Sequence, residues 1–169
     1  VTFIVAIADQ TKSIRFNSAI IWIVGGFAAI FSCIIWSTLA KKWGYVKTLV
    51  IAMFLQAVGI ALPVFSLTET SFIISALLFG GTFMGITTIA TTLGRLINPM
   101  NSSKIIGILT AVYALGQMIG PTIGGIVVHY TKSFQLVLHG AAFIVFLGGM
   151  LLVSGIRFER RKNKMESSA

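Results

Sequence analysis

Apolar residues run in long blocks along this chain, and the charged residues fall between them. Leaving histidine aside, the stretches 16–40, 48–68, 70–94, 105–131 and 133–156 carry no charged side chain. Each provides at least the roughly 20 residues that a helix needs to cross a hydrocarbon core about 30 Å thick. The pattern therefore predicts five full membrane-spanning helices, over about 18–40, 47–66, 70–94, 104–129 and 133–156. A further apolar piece, 1–8, is too short to cross. It has no initiator methionine, basic n-region or small-residue cleavage site, so it does not read as a signal peptide. It reads as the end of a truncated helix, with a genuine short start at Val1 as the alternative.

Composition agrees with this reading. Hydrophobic residues make up 56% of the chain and charged ones 10%, which puts it in the membrane class before any motif is considered. The net charge of +9 would suit a nucleic-acid partner, but its distribution excludes that reading. Ten of the thirteen Lys and Arg residues lie in three regions: Lys41, Lys42 and Lys47; Arg95 and Lys104; and Arg157, Arg160, Arg161, Lys162 and Lys164. Connections holding Lys12 and Arg15, none, and Lys132 alternate with them. The two sets must lie on opposite sides of a membrane, and the positive-inside rule puts the richer set in the cytoplasm. The partner implied is a lipid bilayer, with some attraction to anionic lipid.

Connections are short. Asn98-Pro99-Met100-Asn101-Ser102-Ser103 is the clearest loop, and Ser102 or Ser103 is placed to cap the helix that follows. A basic, polar tail occupies 157–169 and is expected to fray beyond Lys164. Cys33 is single and can form no intrachain disulfide.

The chain is poor in catalytic chemistry. No zinc-protease, paired-cysteine, nucleophile-elbow or nucleotide-loop pattern occurs, and neither a metal nor a cofactor is implied. Asp9, Glu69, Glu159 and Glu166 all lie in loops or the tail, so no span carries the carboxylate that usually marks a proton or cation site. This argues against an enzyme. His129 reads as an interfacial residue rather than a proton relay. His139, several residues inside the last span, reads as a satisfied imidazole buried in protein rather than a titrating one.

Polar residues inside the spans form stripes. Gly81, Gly85, Thr88, Thr92 and Arg95 follow a 4-3-4-3 spacing and share a helical face, widened by Thr87 and Thr91. Thr110, Tyr113, Gln117, Gly120 and Gly124 make a comparable stripe on the next span. Such residues either pack helices together or line a substrate cavity, and both readings stay open for Thr88 and Thr92. Tyr113 and Gln117 carry larger polar groups with hydrogen-bonding demands, so a cavity-facing role suits them better. Gln56 is alone on its span and is expected to meet a neighbouring helix. Trp22, Trp36 and Trp43 read as anchors or packing residues.

The fourth full span also holds Gly116-Gln117-Met118-Ile119-Gly120-Pro121-Thr122-Ile123-Gly124-Gly125. Five glycines or prolines in ten residues would badly weaken a helix in water. In a bilayer they allow another helix to approach closely, and Pro121 allows a bend. This run resembles the glycine-proline signature of the major facilitator superfamily. Leu39-Ala40-Lys41-Lys42-Trp43-Gly44 resembles a degraded form of that family's cytoplasmic loop signature. With 1–8 counted as helix one, the loop falls between helices two and three and the glycine-proline run in helix five, as in one six-helix half of that fold. Lys41 stands where the signature is acidic and Ser37 where it has glycine, and Ala76-Leu77-Leu78-Phe79-Gly80 lacks the arginine frequent in the first half. These departures suit the C-terminal half. The phrases Gly81-Thr82-Phe83-Met84-Gly85-Ile86-Thr87 and Tyr113-Ala114-Leu115-Gly116-Gln117 resemble the YbfB/YjiJ-like branch.

The resemblance implies an all-α membrane fold and a secondary transporter that moves small solutes by alternating access, in a bacterial inner membrane with the C-terminus cytoplasmic. Its partners would be a missing N-terminal six-helix half and a small-molecule substrate. Thr88, Thr92, Tyr113 and Gln117 are the cavity candidates. Gly116, Gly120, Pro121, Gly124 and Gly125 form the packing and gating motif, and Leu39, Ala40, Lys41, Lys42 and Gly44 the loop motif. The spans beginning near Thr48 and Ser133 would be peripheral. The alternative is a truncated, non-transporting membrane protein or a helix-packing interaction partner.

Overall fold

The structure is a computed structural model and describes residues 19–65 and 68–166, with side chains described as far as Ser154. The segment 1–8 and the connection holding Lys12 and Arg15 lie outside the described residues. Among the described residues five long helices follow one another: α1 Ala19–Trp43, α2 Tyr45–Phe65, α3 Glu69–Ile97, α4 Ser102–Thr131 and α5 Phe134–Glu166. All five are long and apolar enough to cross a membrane, and there is no strand among the described residues.

The helices outrun the apolar blocks, because a charge ends hydrophobicity without ending a helix. Lys41 and Lys42 occupy the last turn of α1 and Arg95 that of α3, where cations favour the helix dipole. The loop motif is accordingly helical up to Trp43. Only Gly44 leaves the helix, at φ 93°, and its N–H donates to the Ala40 carbonyl at 2.9 Å. Beyond the last apolar block the helical backbone runs on through 157–166. The serine cap expected for α4 does not form. Pro99–Asn101 make a 3-10 turn instead, the Asn98 side chain accepts from the Asn101 N–H at 3.3 Å, and Ser102 is already helical. Thr68 caps α3 by accepting from the Ser71 N–H.

Packing divides the helices unequally. α1 lies along α3, α2 lies along both α3 and α5, and α4 makes only light contact with α3 and α5. One apolar cluster joins Ile21, Ile60, Phe72, Ala76 and Leu138; a second, toward the Lys41 end, joins Trp36, Ala40, Leu49, Ala52 and Ile89. Gln56 is buried on α2. On α4 every residue from 107 to 123 is exposed on this chain, and Gly124 is its buried residue.

Candidate functional site

A cavity of about 550 Å³ opens between α1, α3 and α4. That volume falls within the range of small-molecule sites. α1 contributes Trp22, Gly25, Gly26 and Ala29; α3 contributes Phe79, Gly80, Phe83 and Met84; α4 contributes Gln117 and Pro121. α2 and α5 supply none of the lining. Gln117 Nε2 donates to the Tyr113 hydroxyl at 2.5 Å, a pairing that their four-residue spacing on one helix face permits. The Tyr113 ring meets Phe83 with centroids 5.9 Å apart, and Phe83 stacks on Phe79 at 5.3 Å. Tyr113 and Gln117 therefore come together beside one aromatic row.

The wall carrying that row is held by a junction that reading the side chains alone misses. Ser32 Oγ donates to the Gly81 carbonyl at 2.7 Å and accepts from the Gly85 N–H at 2.9 Å. Trp36 Nε1 donates to the same carbonyl at 2.6 Å. One serine hydroxyl thus sits beside a rung of the α3 backbone ladder, and both residues come from α1. Close approach is required along this seam. A methyl group on Gly80 would overlap the Gly25 carbonyl oxygen, and one on Gly85 would overlap the Trp36 ring. The available sequence signal was the match between a Ser-Trp pair four residues apart on one helix and a Gly-Gly pair four apart on another. Trp36 is a packing residue, as expected, but it is also a hydrogen-bond donor.

Thr88 and Thr92 do not line the large cavity. They border a smaller cleft of about 220 Å³ with Ser37, Lys41, Tyr45 and Ile89, near the ends of α1 and α3. Thr88 donates to the Met84 carbonyl at 2.8 Å and lies 3.4 Å from Cys33 Sγ; Thr92 donates to the Thr88 carbonyl at 2.7 Å. Their protons are spent on backbone, so each offers mainly a lone pair. Lys41 and Lys42 are exposed, whereas Ala40 is buried and Leu39 packs against the second apolar cluster.

The glycine-proline motif is divided as well. Pro121 lines the large cavity and Gly124 is buried. A methyl group on Gly116, Gly120 or Gly125 would meet nothing on this chain within 4 Å. The sequence suggested a buried His139, and the structure corrects this. The residue is exposed, and its Nδ1 lies 2.8 Å from the Gln135 carbonyl one turn back. His129 is exposed and sits edge-on to Tyr130. Among the described residues no three His, Cys, Asp or Glu side chains come together to hold a metal.

Residues 1–153 match the model of a family described as "Uncharacterised MFS-type transporter YbfB". No curated protein and no solved structure matches the chain.

Proposed function

The chain belongs to the YbfB-like family of MFS-type transporters, and on that premise we propose that it is the C-terminal six-helix half of a secondary transporter moving a small solute by alternating access. Membership in this family and five apolar helices make it an integral, multi-pass membrane protein. The observation that carries the proposal is the cavity walled by α1, α3 and α4 and bearing the paired Gln117. Its two sides differ in rigidity. α1 and α3 are joined by the Ser32 and Trp36 hydrogen bonds, while α4 touches its neighbours lightly and carries a proline at the cavity wall. In this reading the other half closes the cavity from the open side of α4, and α2 and α5 stand behind as peripheral supports. The Lys41, Arg95 and 157–164 regions face the cytoplasm, in a bacterial inner membrane.

The test is two-sided access. In a Cys33→Ser background of the intact protein, Met84→Cys and Gln117→Cys should react with a water-soluble thiol reagent supplied from either side of the membrane. Val58→Cys, on an exposed face of α2, should react from neither. Reaction of both cavity positions from one side only, under all conditions, would identify a static pocket and reject alternating access.

A further inference from the structure

We propose that this cavity, taken as the transport site above, binds an uncharged solute built on an aromatic or heteroaromatic ring that carries a carboxamide-like donor and acceptor. The inference rests on that transport reading for the direction of use, and on the cavity wall for the chemistry.

The wall has the shape of a ring-binding surface. Phe79 and Phe83 stack nearly parallel, at 17°, and Tyr113 extends the row at 42° to Phe83. Trp22 lines the cavity from α1 and is half exposed. On the facing wall Gly26 leaves space: a methyl group there would meet nothing within 4 Å, whereas one on Gly25 would touch the Ala76 carbonyl oxygen at 3.5 Å. Aromatic side chains on one side and the space beside Gly26 on the other suit a planar ring, which gains from offset or edge-on contact with its neighbours.

The polar end follows from counting hydrogen bonds. A glutamine amide has two N–H donors and a carbonyl acceptor, and a phenol has one donor and can accept. The Gln117–Tyr113 bond uses one amide N–H and the phenol oxygen as acceptor. One amide N–H, the amide carbonyl and the phenol O–H then remain. Gln117 lines the cavity while Tyr113 stands beside it, outside the lining, so the amide supplies the neutral donor and acceptor that a carboxamide or similar group can match.

The described part of the wall is uncharged. Among the described residues no Asp, Glu, Lys, Arg or His lines the cavity. Lys104 and Lys132 lie 13 and 15 residues from Gln117 along α4 and its end, about 20 Å away at the helical rise. Glu69 is ten residues before Phe79, about 15 Å along α3. An anion would find no cation among these described residues. Ring faces attract a cation, but without a carboxylate that attraction returns only part of what its desolvation costs.

Equilibrium dialysis on the intact protein in detergent tests this with four single-ring probes: benzamide, benzoate, benzylammonium and cyclohexanecarboxamide. Benzamide should bind saturably, and the other three at least about tenfold more weakly, each tenfold being about 1.4 kcal/mol. Gln117→Leu should weaken benzamide about tenfold. Gln117→Glu should reverse the preference toward benzylammonium, which a merely structural role for Gln117 would not do. Both substitutions lie on an exposed face of α4, and an unchanged elution volume confirms that the variants fold. Tighter binding of either charged probe, no benzamide binding, or unchanged benzamide binding by Gln117→Leu would overturn the proposal. Proteoliposome uptake separates it from the transport reading. Benzamide binding without uptake upholds the ligand class and counts against transport, whereas uptake confined to charged solutes upholds transport and overturns the class.

Discussion

Ser32 shows how one small polar side chain can fix two helices in a bilayer. In lipid the apolar surface of a helix gains nothing by leaving its surroundings, so close packing and interhelical hydrogen bonds must supply the specificity. Ser32 makes two such bonds with backbone atoms of Gly81 and Gly85, and Trp36 adds a third. Ser32→Ala should lower the melting stability of the intact protein in detergent by about 1 kcal/mol, the usual worth of an interhelical bond in a membrane. Gly85→Ala should cost more, about 1–3 kcal/mol, because the indole it meets is tethered by its own hydrogen bond and cannot swing aside. Equal stability of Gly85→Ala and the parent would show that α1 and α3 do not meet as closely as described. The side chains could not disclose this junction, because the acceptor and the donor on α3 are backbone groups of glycines. Gln117 and Tyr113 were legible for the opposite reason: both partners are side chains, four residues apart on one helix. Thr88 and Thr92 satisfied the same spacing rule but lie toward the α1–α3 end, so a shared helical face did not put them in the same cavity.

The helices themselves were readable from uncharged length alone, whereas their ends were not. Where an apolar block stops, only water begins; the helix stops where the backbone finds a cap or a left-handed residue. Gly44 provides such a stop between α1 and α2, and Lys132 another between α4 and α5, at φ 54°. Gly44→Ala should cost about 1–2 kcal/mol, since a Cβ is disfavoured in that conformation, and Lys132→Gly should recover a similar amount. Thermal unfolding of both variants checks the pair of signs. The two glycine-rich helices should respond differently to bulk. Gly80→Leu drives a side chain into the Gly25 backbone and should disrupt the half itself, seen as lost thermal stability and poor yield. Gly120→Leu meets open space on this chain, so stability should hold while transport fails if α4 packs there against the companion half. Normal uptake by a stably folded Gly120→Leu protein would remove the glycine-proline run from any moving interface.

The arrangement of charge unites these helices into one orientation. Lys41, Lys42 and Lys47 cluster where α1 meets α2, and Arg95 and Lys104 flank the turn between α3 and α4. Because α1 and α3 both run toward this end, the two basic turns fall on one side of the bilayer. Lys132, in the tight turn between α4 and α5, falls on the other, and so does Thr68 at the start of α3. The 29 residues of α3 span about 43 Å, enough to carry its ends into the two headgroup regions. Basic side chains are retained on the cytoplasmic side during insertion, so the richer end should be inside. In a Cys33→Ser background, Lys132→Cys and Thr68→Cys should be labelled by an impermeant maleimide on intact cells, and Lys42→Cys only after the membrane is opened. The positive-inside bias depends on short loops, and Gly44 makes the α1–α2 connection a single residue long, so its lysines bear directly on the insertion of both helices. Replacing Lys41, Lys42 and Lys47 together with glutamine should therefore yield a mixed population, with part of the Thr68→Cys signal lost from the outside. If Lys42→Cys in the otherwise intact protein is labelled from outside, the charge pattern does not set orientation here.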